Sequence, residues 1–306
     1  MFEKQNKPMK FSLLFFNFVL CCVVCKAQKP IPSRLDPRNY PNGVAMINDS
    51  ELVTFGSDIS AYDTLDTARY MATYDFTYPS NVRLSDPPLT DRMTLEIGNR
   101  KTAFYSLDLF KDDSLYTYRW RQSGRAGNFN SNHVRFLVYG DRQSQELEVQ
   151  QRMPMKSGRV VTIPGEAIPQ WTIDTLTCEM LGYRCLRATT HYGGRDWTVW
   201  FTLEIPFSVG PWKLWGLPGL VLRAEEVQGM FSFICTSVMV AERPIRRYRW
   251  RSGKPIDHNA WLKLEERMHR SPYAMFGQDT QIVNIGDSPG LMDENWEVPY
   301  CPLELE

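Results

Sequence analysis

HYGGRDWTVWFTLEIPFSVGPWKLWGLPGLVL, His191 to Leu222, is the stretch that fixes how the rest of the chain must be arranged. It holds four of the nine tryptophans. From Arg195 to Ile205 the residues alternate, with Trp197, Val199, Phe201, Leu203 and Ile205 on one side and Thr198, Trp200, Thr202 and Glu204 on the other. Side chains in a strand point to opposite faces with period two, so this is a half-buried strand with a dry aromatic face. Trp200 stands alone on the polar side, either under a neighbouring loop or exposed as an aromatic ligand contact. Tyr192-Gly193-Gly194-Arg195 reads as a hairpin turn, because paired glycines accept the positive φ that tight turns need. After the strand the chain leaves the sheet at Pro206 and returns through Gly210-Pro211-Trp212-Lys213-Leu214-Trp215-Gly216. Leu217-Pro218-Gly219-Leu220 fits a type II turn, with proline first and glycine second at its centre.

These residues carry a resemblance to a family. The run from Gly194 to Leu222 resembles the GLPGLI family of Bacteroidetes envelope proteins, here as Gly216-Leu217-Pro218-Gly219-Leu220 followed by Val221 where the family usually has isoleucine. Gly194-Arg195, Trp200, Ile205-Pro206 and Gly210-Pro211-Trp212 match as a block, and Gly182-Tyr183-Arg184-Cys185 matches upstream. Pro302-Leu303-Glu304-Leu305-Glu306 is similar to the family's usual ending. The likeness runs from Thr172 to Val240, and in pattern only from Thr67 to Phe110. It implies an exported envelope protein and no particular reaction.

The amino terminus points the same way. Lys4, Lys7 and Lys10 precede an apolar run, Phe11 to Val24, and Cys25-Lys26-Ala27 follows. A basic start, a short apolar stretch and small residues at the cleavage positions define a signal peptide covering residues 1–27. The run is shorter than the roughly 20 residues of a spanning helix, so no transmembrane segment is expected in the mature chain. Cys21 and Cys22 lack the small preceding residue of a lipid-attachment site. Residues 1–27 hold four lysines and one glutamate, so the neutral 306-residue chain becomes a mature protein near −3. Nothing in that balance calls for nucleic acid. Residues 28–65, rich in proline, aspartate, asparagine and serine, read as an irregular leader, and residues 66–306 as a single β-rich domain.

Of the seven cysteines, Cys178, Cys185, Cys235 and Cys301 remain after cleavage. An even number in an exported protein points to disulfides, with three connectivities open. If Leu181-Gly182 is a two-residue turn, Cys178 lies opposite Cys185, within bonding range. Cys235 would then be left for Cys301. No CxxC or HExxH spacing is present, so no metal is expected, and no cofactor motif follows a strand.

Elsewhere short alternating strands recur between turn signals, the mark of an antiparallel meander. Tyr70, Ala72, Tyr74, Phe76 and Tyr78 share one face of a strand beginning at Ala68. Further strands are expected over 93–97, 102–109, 134–139, 145–151, 159–163, 171–180, 183–190, 220–227 and 230–240. The basic run Arg243 to Lys254 reads as a solvated segment pairing with acidic neighbours. Asp257 caps a helix to about Arg270, with Trp261, Leu264 and Met268 on one face. The expected fold is mainly antiparallel β, a strongly curved sheet or half-open barrel with one C-terminal helix; a sandwich is the alternative. The expected function is a non-enzymatic binding or carrier protein for an apolar or peptide ligand, or an accessory to an outer-membrane system. His191, Trp197, Trp200 and Trp215 are its candidate ligand contacts. The competing reading is a hydrolase built on His191 with Asp196 or Glu204. It lacks a nucleophile, so no catalytic residue is assigned.

Overall fold

The computed structural model describes residues 57–80, 86–123, 133–153, 160–164, 168–250, 253–271 and 299–306; the signal peptide and most of the leader lie outside them. The alternation read from the sequence becomes two meanders. The first comprises β1 (Tyr62–Tyr78), β2 (Leu89–Gly98), β3 (Lys101–Ser106), β4 (Phe136–Asp141), β5 (Glu146–Arg152) and β6 (Val160–Pro164). The second comprises β7 (Thr172–Met180), β8 (Tyr183–Tyr192), β9 (Arg195–Thr202), β10 (Leu220–Glu226) and β11 (Ser232–Tyr248). A two-residue strand β12 (Lys254–Pro255) pairs in parallel with β6. Among the described residues these form one sheet of 12 strands, β12-β6-β5-β4-β3-β2-β1-β11-β10-β9-β8-β7, antiparallel except at that pair.

The two meanders join along β1 and β11, each 17 residues long, in register from Tyr62 opposite Tyr248 to Thr77 opposite Ser232. Three register shifts interrupt the seam, and such bulges increase local twist and bend a sheet. The sheet accordingly curls. In a flat sheet β5 and β11 would lie about 24 Å apart, five strand spacings. Yet Arg247 of β11 donates to Glu148 of β5 at 2.6 Å, and Trp250 Nε1 donates to Gln150 at 2.7 Å. Inside the curl Phe76 stacks on Phe233 with centroids 4.2 Å apart. The Tyr74 hydroxyl donates to the Val221 carbonyl at 2.7 Å. The sheet does not close, since β12 and β7 are its two ends.

Four sequence expectations change. First, β1 starts at Tyr62 and not Ala68, because its early residues pair with the far end of β11. Secondly, the strand expected over 102–109 stops at Ser106 and turns into helix α1 (Leu107–Ser123). The Ser106 hydroxyl accepts from Leu109 N at 3.1 Å, Asp108 lies in the first turn and Arg121 in the last, so the helix is capped and its dipole complemented. Buried Asp113 fastens it to Arg152 of β5. Thirdly, the run from Arg243 to Tyr248, read as a solvated segment, continues strand β11. β10 pairs with β11 only at Ser232–Ile234, so the far half of β11 has one paired side, where a proline such as Pro244 is tolerated. Its cations do find acidic neighbours: Arg243 meets Glu96 at 3.0 Å, and Arg249 meets Asp63. Fourthly, β9 ends at Thr202, leaving Leu203 half exposed at 52%.

The signature turn also differs. Left-handed φ falls at Gly216 (+99°) and not at Gly219, so the type II turn at 217–220 does not form. Gly219 is required for space: a Cβ there would sit 1.9 Å from the Thr202 carbonyl oxygen. Helix α2 (His258–Arg270) forms as expected, its Asp257 cap accepting from Ala260 N at 3.2 Å.

Gly219→Ala must therefore push backbone against backbone and is expected to cost about 3 kcal/mol. Gly229→Ala meets no atom within 4 Å and pays only for φ +76°, about 1 kcal/mol. Urea unfolding of both variants checks this; equal costs would show that the 217–220 turn yields.

Candidate functional site

The β8–β9 turn has φ of +62° at Gly193 and +69° at Gly194, the two left-handed residues of a type I′ hairpin. These glycines also make room for another segment. A Cβ on Gly194 would lie 2.7 Å from the Leu305 Cβ, and one on Gly193 would lie 3.2 Å from Glu304 Cγ. Residues 301–306 run across the signature and are held there by polar groups. Arg195, only 6% exposed, donates to the carbonyls of Pro302 at 2.6 Å and Leu303 at 3.1 Å. Leu305 N donates to the Gly193 carbonyl at 2.9 Å, and Gly194 N to Glu306 Oε1 at 3.1 Å. Lys213, 1% exposed, places Nζ 2.5 and 2.6 Å from the two carboxylate oxygens of Glu304. The preceding Trp212 takes the left-handed conformation, φ +53°, and its ring lies 5.0 Å from the Lys213 ammonium.

The other signature glycines serve close packing. A Cβ on Gly210 would lie 2.4 Å from the Leu214 carbonyl oxygen, and one on Gly216 2.6 Å from Ile168. Pro211, Leu217 and Leu220 are buried, while Pro206 and Pro218 face solvent.

Behind the clasped segment lies a cavity of about 160 Å³. Phe76 of β1, Phe136 of β4, Phe231, Trp212 and Trp261 of α2 form its apolar wall. Its polar end is made by Arg135, Glu265, His269 and Glu304. Trp261, Glu265 and His269 follow one another at intervals of four residues, so one stripe of α2 faces the cavity. Burial pushes the Glu265 carboxyl up to about 7, with Glu304 adding and Arg135 and Lys213 opposing. Burial holds His269 down at about 4, and the Arg135 charge adds to this. Arg135 itself is lowered by burial, with Glu265 and Tyr78 acting the other way. His269 Nδ1 is buried without a hydrogen-bond partner, and its ring meets Tyr300 edge-on at 5.3 Å. At the rim, His133 Nδ1 lies 3.4 Å from Asp91, whose hydrogen bond raises the imidazole's affinity for a proton.

The four candidate contacts named from sequence lie elsewhere. Trp197 and Trp215 are core residues, 1% and 3% exposed, and Trp215 packs against Gly140 of β4. Trp200 is half-buried on the other face of β9. His191 stands on the open surface, Nδ1 2.7 Å from Asp196 and Nε2 3.4 Å from Glu306. Glu204 is engaged away from it, accepting from Arg184 N at 2.7 Å. Of the signature residues, Trp212 is the one that lines the cavity. Arg135, Lys213, Glu265 and His269 were missed; the spacing of Trp261, Glu265 and His269 was the signal available for two of them.

The β7–β8 hairpin turns at Leu181-Gly182, with Cys178 opposite Cys185 as expected. No disulfide is present among the described residues: all four cysteines are free thiols. Cys301 and Cys235 are not brought together in the expected way. Cys301 Sγ lies 3.8 Å from Met230 Sδ, and Cys235 donates to the Ser237 carbonyl at 3.4 Å. Among the described residues no group of three or more His, Cys, Asp or Glu side chains is placed to hold a metal, and no helix is long and apolar enough to cross a membrane.

The family model described as a protein of unknown function (Porph_ging) matches residues 195–223, the stretch on which the GLPGLI resemblance rests. No match is found among curated proteins. Among solved structures, two crystal forms of PNGF-II are similar, at 15% and 16% identity with TM-scores of 0.45 and 0.44. Each alignment covers 64% of this chain and 33% or 32% of that one, so the chain spans about a third of that protein's length.

Lys213→Met removes the buried ammonium that faces both Glu304 carboxylate oxygens and is expected to cost about 3–5 kcal/mol, as is Glu304→Gln. The double variant should cost less than the sum. Hydrogen exchange at the Leu305 amide checks the location: its protection should fall in either single variant and not in Lys111→Met.

Proposed function

We propose that this is an exported cell-envelope protein that binds and carries a small ligand and performs no chemistry on it. The observation that carries the reading is the cavity between the sheet, α2 and the clasped segment, walled by six aromatic rings, Tyr78 among them. Aromatic lining with a few convergent polar groups is the usual make-up of a small-molecule site. Export rests on the basic and apolar amino-terminal sequence through Ala27. The reach of Arg247 to Glu148 across the sheet supports a half-open barrel as the carrier's frame. In the envelope, an outer-membrane uptake or assembly system is the partner class that fits such a carrier, and a Cys178–Cys185 bond is its natural oxidised cross-link. A hydrolase centred on His191 is disfavoured, because that histidine meets its carboxylate on open surface, where water screens both.

The size of the cavity narrows the cargo. A cavity of about 150 Å³ holds a benzene-sized group, so the part of the cargo seated within about 160 Å³ here is the size of a single ring or short chain. Native mass spectrometry of the protein, purified gently from its own envelope, tests the reading. The expected result is a reproducible extra mass of small-molecule size that leaves on denaturation and is missing from Trp261→Ala. A clean ligand-free mass for the wild type overturns the carrier reading.

A further inference from the structure

The curl leaves one strand edge uncovered in the middle of the sheet. β10 pairs with β11 only from Ser232 to Ile234, and further along Arg247 is engaged with Glu148 of β5. Between them, among the described residues, the backbone of Cys235 to Arg243 makes no backbone hydrogen bond except to β1. A free edge invites another strand, and proteins usually blunt it with lysine, proline or a short length. This one is not blunted. Cys235 to Ala241 reads CTSVMVA, with no charge, proline or glycine, the composition of a segment that pairs readily with its like. Val240 is 81% exposed and Met239 49%.

We propose that this edge is a homodimer interface, on which β11 of a second copy pairs antiparallel about a two-fold axis through Met239. Side chains directly opposite each other must share a face, so a symmetric pair is centred on a residue and not between two. The limits of the open run select that residue. Ile234, the last position held by β10, and Pro244, which has no N–H to give, lie five residues either side of Met239.

About that axis Met239 faces its own copy, Val238 faces Val240 of the second copy, and Ser237 faces Ala241. Val238 packs against the main core, so the pairing draws exposed Val240 onto the margin of a dry surface. Glu242 and Arg243, the charges of the run, fall opposite Thr236 and Cys235, so no like charges meet across the axis. An axis through Val240 would instead set Glu242 against Val238 and Pro244 against Thr236. The register shift between Val240 and Arg243 lies at the outer end of the run, where its added twist ends the pairing. About nine residues a side is well short of the roughly 20–30 of a standard interface, so the association is weak and concentration-dependent. The dimer forms whether or not the cavity holds a ligand.

Sedimentation velocity of the whole mature chain, from about 1 µM to about 100 µM, tests the interface. The expected result is a reversible shift from monomer toward dimer across that range. Val240→Lys sets an ammonium against Val238 at two symmetric points and is expected to weaken dimerisation at least about tenfold. Its melting temperature as a monomer should not change, because the native side chain is exposed. Cross-linking reads the register. Opposed Cα atoms lie about 4.5–5.5 Å apart, within disulfide reach, so Met239→Cys should join two copies, each bond reducing one oxidised glutathione to two thiols. Wild type should give no such product, and neither should Glu242→Cys, whose two copies lie about 20 Å apart along the strands. A chain that is monomeric at every concentration overturns the proposal. So does a dimer that survives Val240→Lys, or one joined by Glu242→Cys and not by Met239→Cys. Hydrogen exchange supplies a further check: amides of 236–242 fully protected in the dilute monomer would mean that a segment of the same chain covers the edge, which also overturns it. The wild-type measurements decide even if a variant fails to fold.

Discussion

Everything in this molecule hangs from the antiparallel contact between β1 and β11. Each meander alone is a local arrangement of hairpins with one hydrophobic face. The seam presents the two faces to each other, and its bulges bend the shared sheet until Phe104 of β3 meets Phe233 of β11 edge-on at 6.0 Å. The core is continuous across it, from Leu95 and Val138 on one side to Val199 and Leu222 on the other, all buried in one cluster. Without the seam there would be no enclosed interior, and α2 would have nothing on which to lay Trp261 and Met268.

The signature acts on this frame as a receptor for residues 301–306. Its glycines serve two separate needs that look alike in sequence: left-handed φ at Gly193 and Gly194, and closeness of backbone at Gly210 and Gly219. Its two cations, Arg195 and Lys213, are almost fully buried, which is affordable only because carbonyls and the Glu304 carboxylate receive them. The residues ahead of the hexapeptide, Gly193 to Arg195 and Lys213, thus do structural work at one remove from the cavity, by fixing the segment that supplies Glu304 to its polar end.

Strand alternation was legible wherever one face was apolar: Trp197, Val199 and Phe201 on β9, and Ala72, Tyr74 and Phe76 on β1, are buried as their spacing requires. The β7–β8 register, down to Cys178 opposite Cys185, followed from turn chemistry alone. What could not be read was set by tertiary contact. Helix α1 buries only Leu109 and Asp113, so it shows little amphipathic period, and the ion pair that holds it lies 39 residues away. The basic half of β11 is strand because β1 is there to pair with it, despite Pro244. The polar end of the cavity draws Arg135, Glu265 and Glu304 from three separate stretches of the chain, and no local pattern joins them.

The two ends of the sheet have a bearing on how molecules of this protein behave in a crowd. Open sheets present free donors and acceptors at their edges, the raw material of aggregation. Here one border is β12, two residues long and occupied by a lysine and a proline. The other, β7, breaks its register between Ile173 and Thr177, where Asp174 turns inward to accept from Leu176 N at 2.8 Å and to meet Arg187 at 2.6 Å. Neither of these two end strands offers a straight run onto which another strand can zip, whereas the far half of β11, paired only with β1 among the described residues, leaves one side open. The two end strands thus discourage edge-to-edge pairing at the borders of the sheet, even with Ile173 and Leu176 half exposed beside one of them, and leave the open side of β11 as the edge available to a further strand.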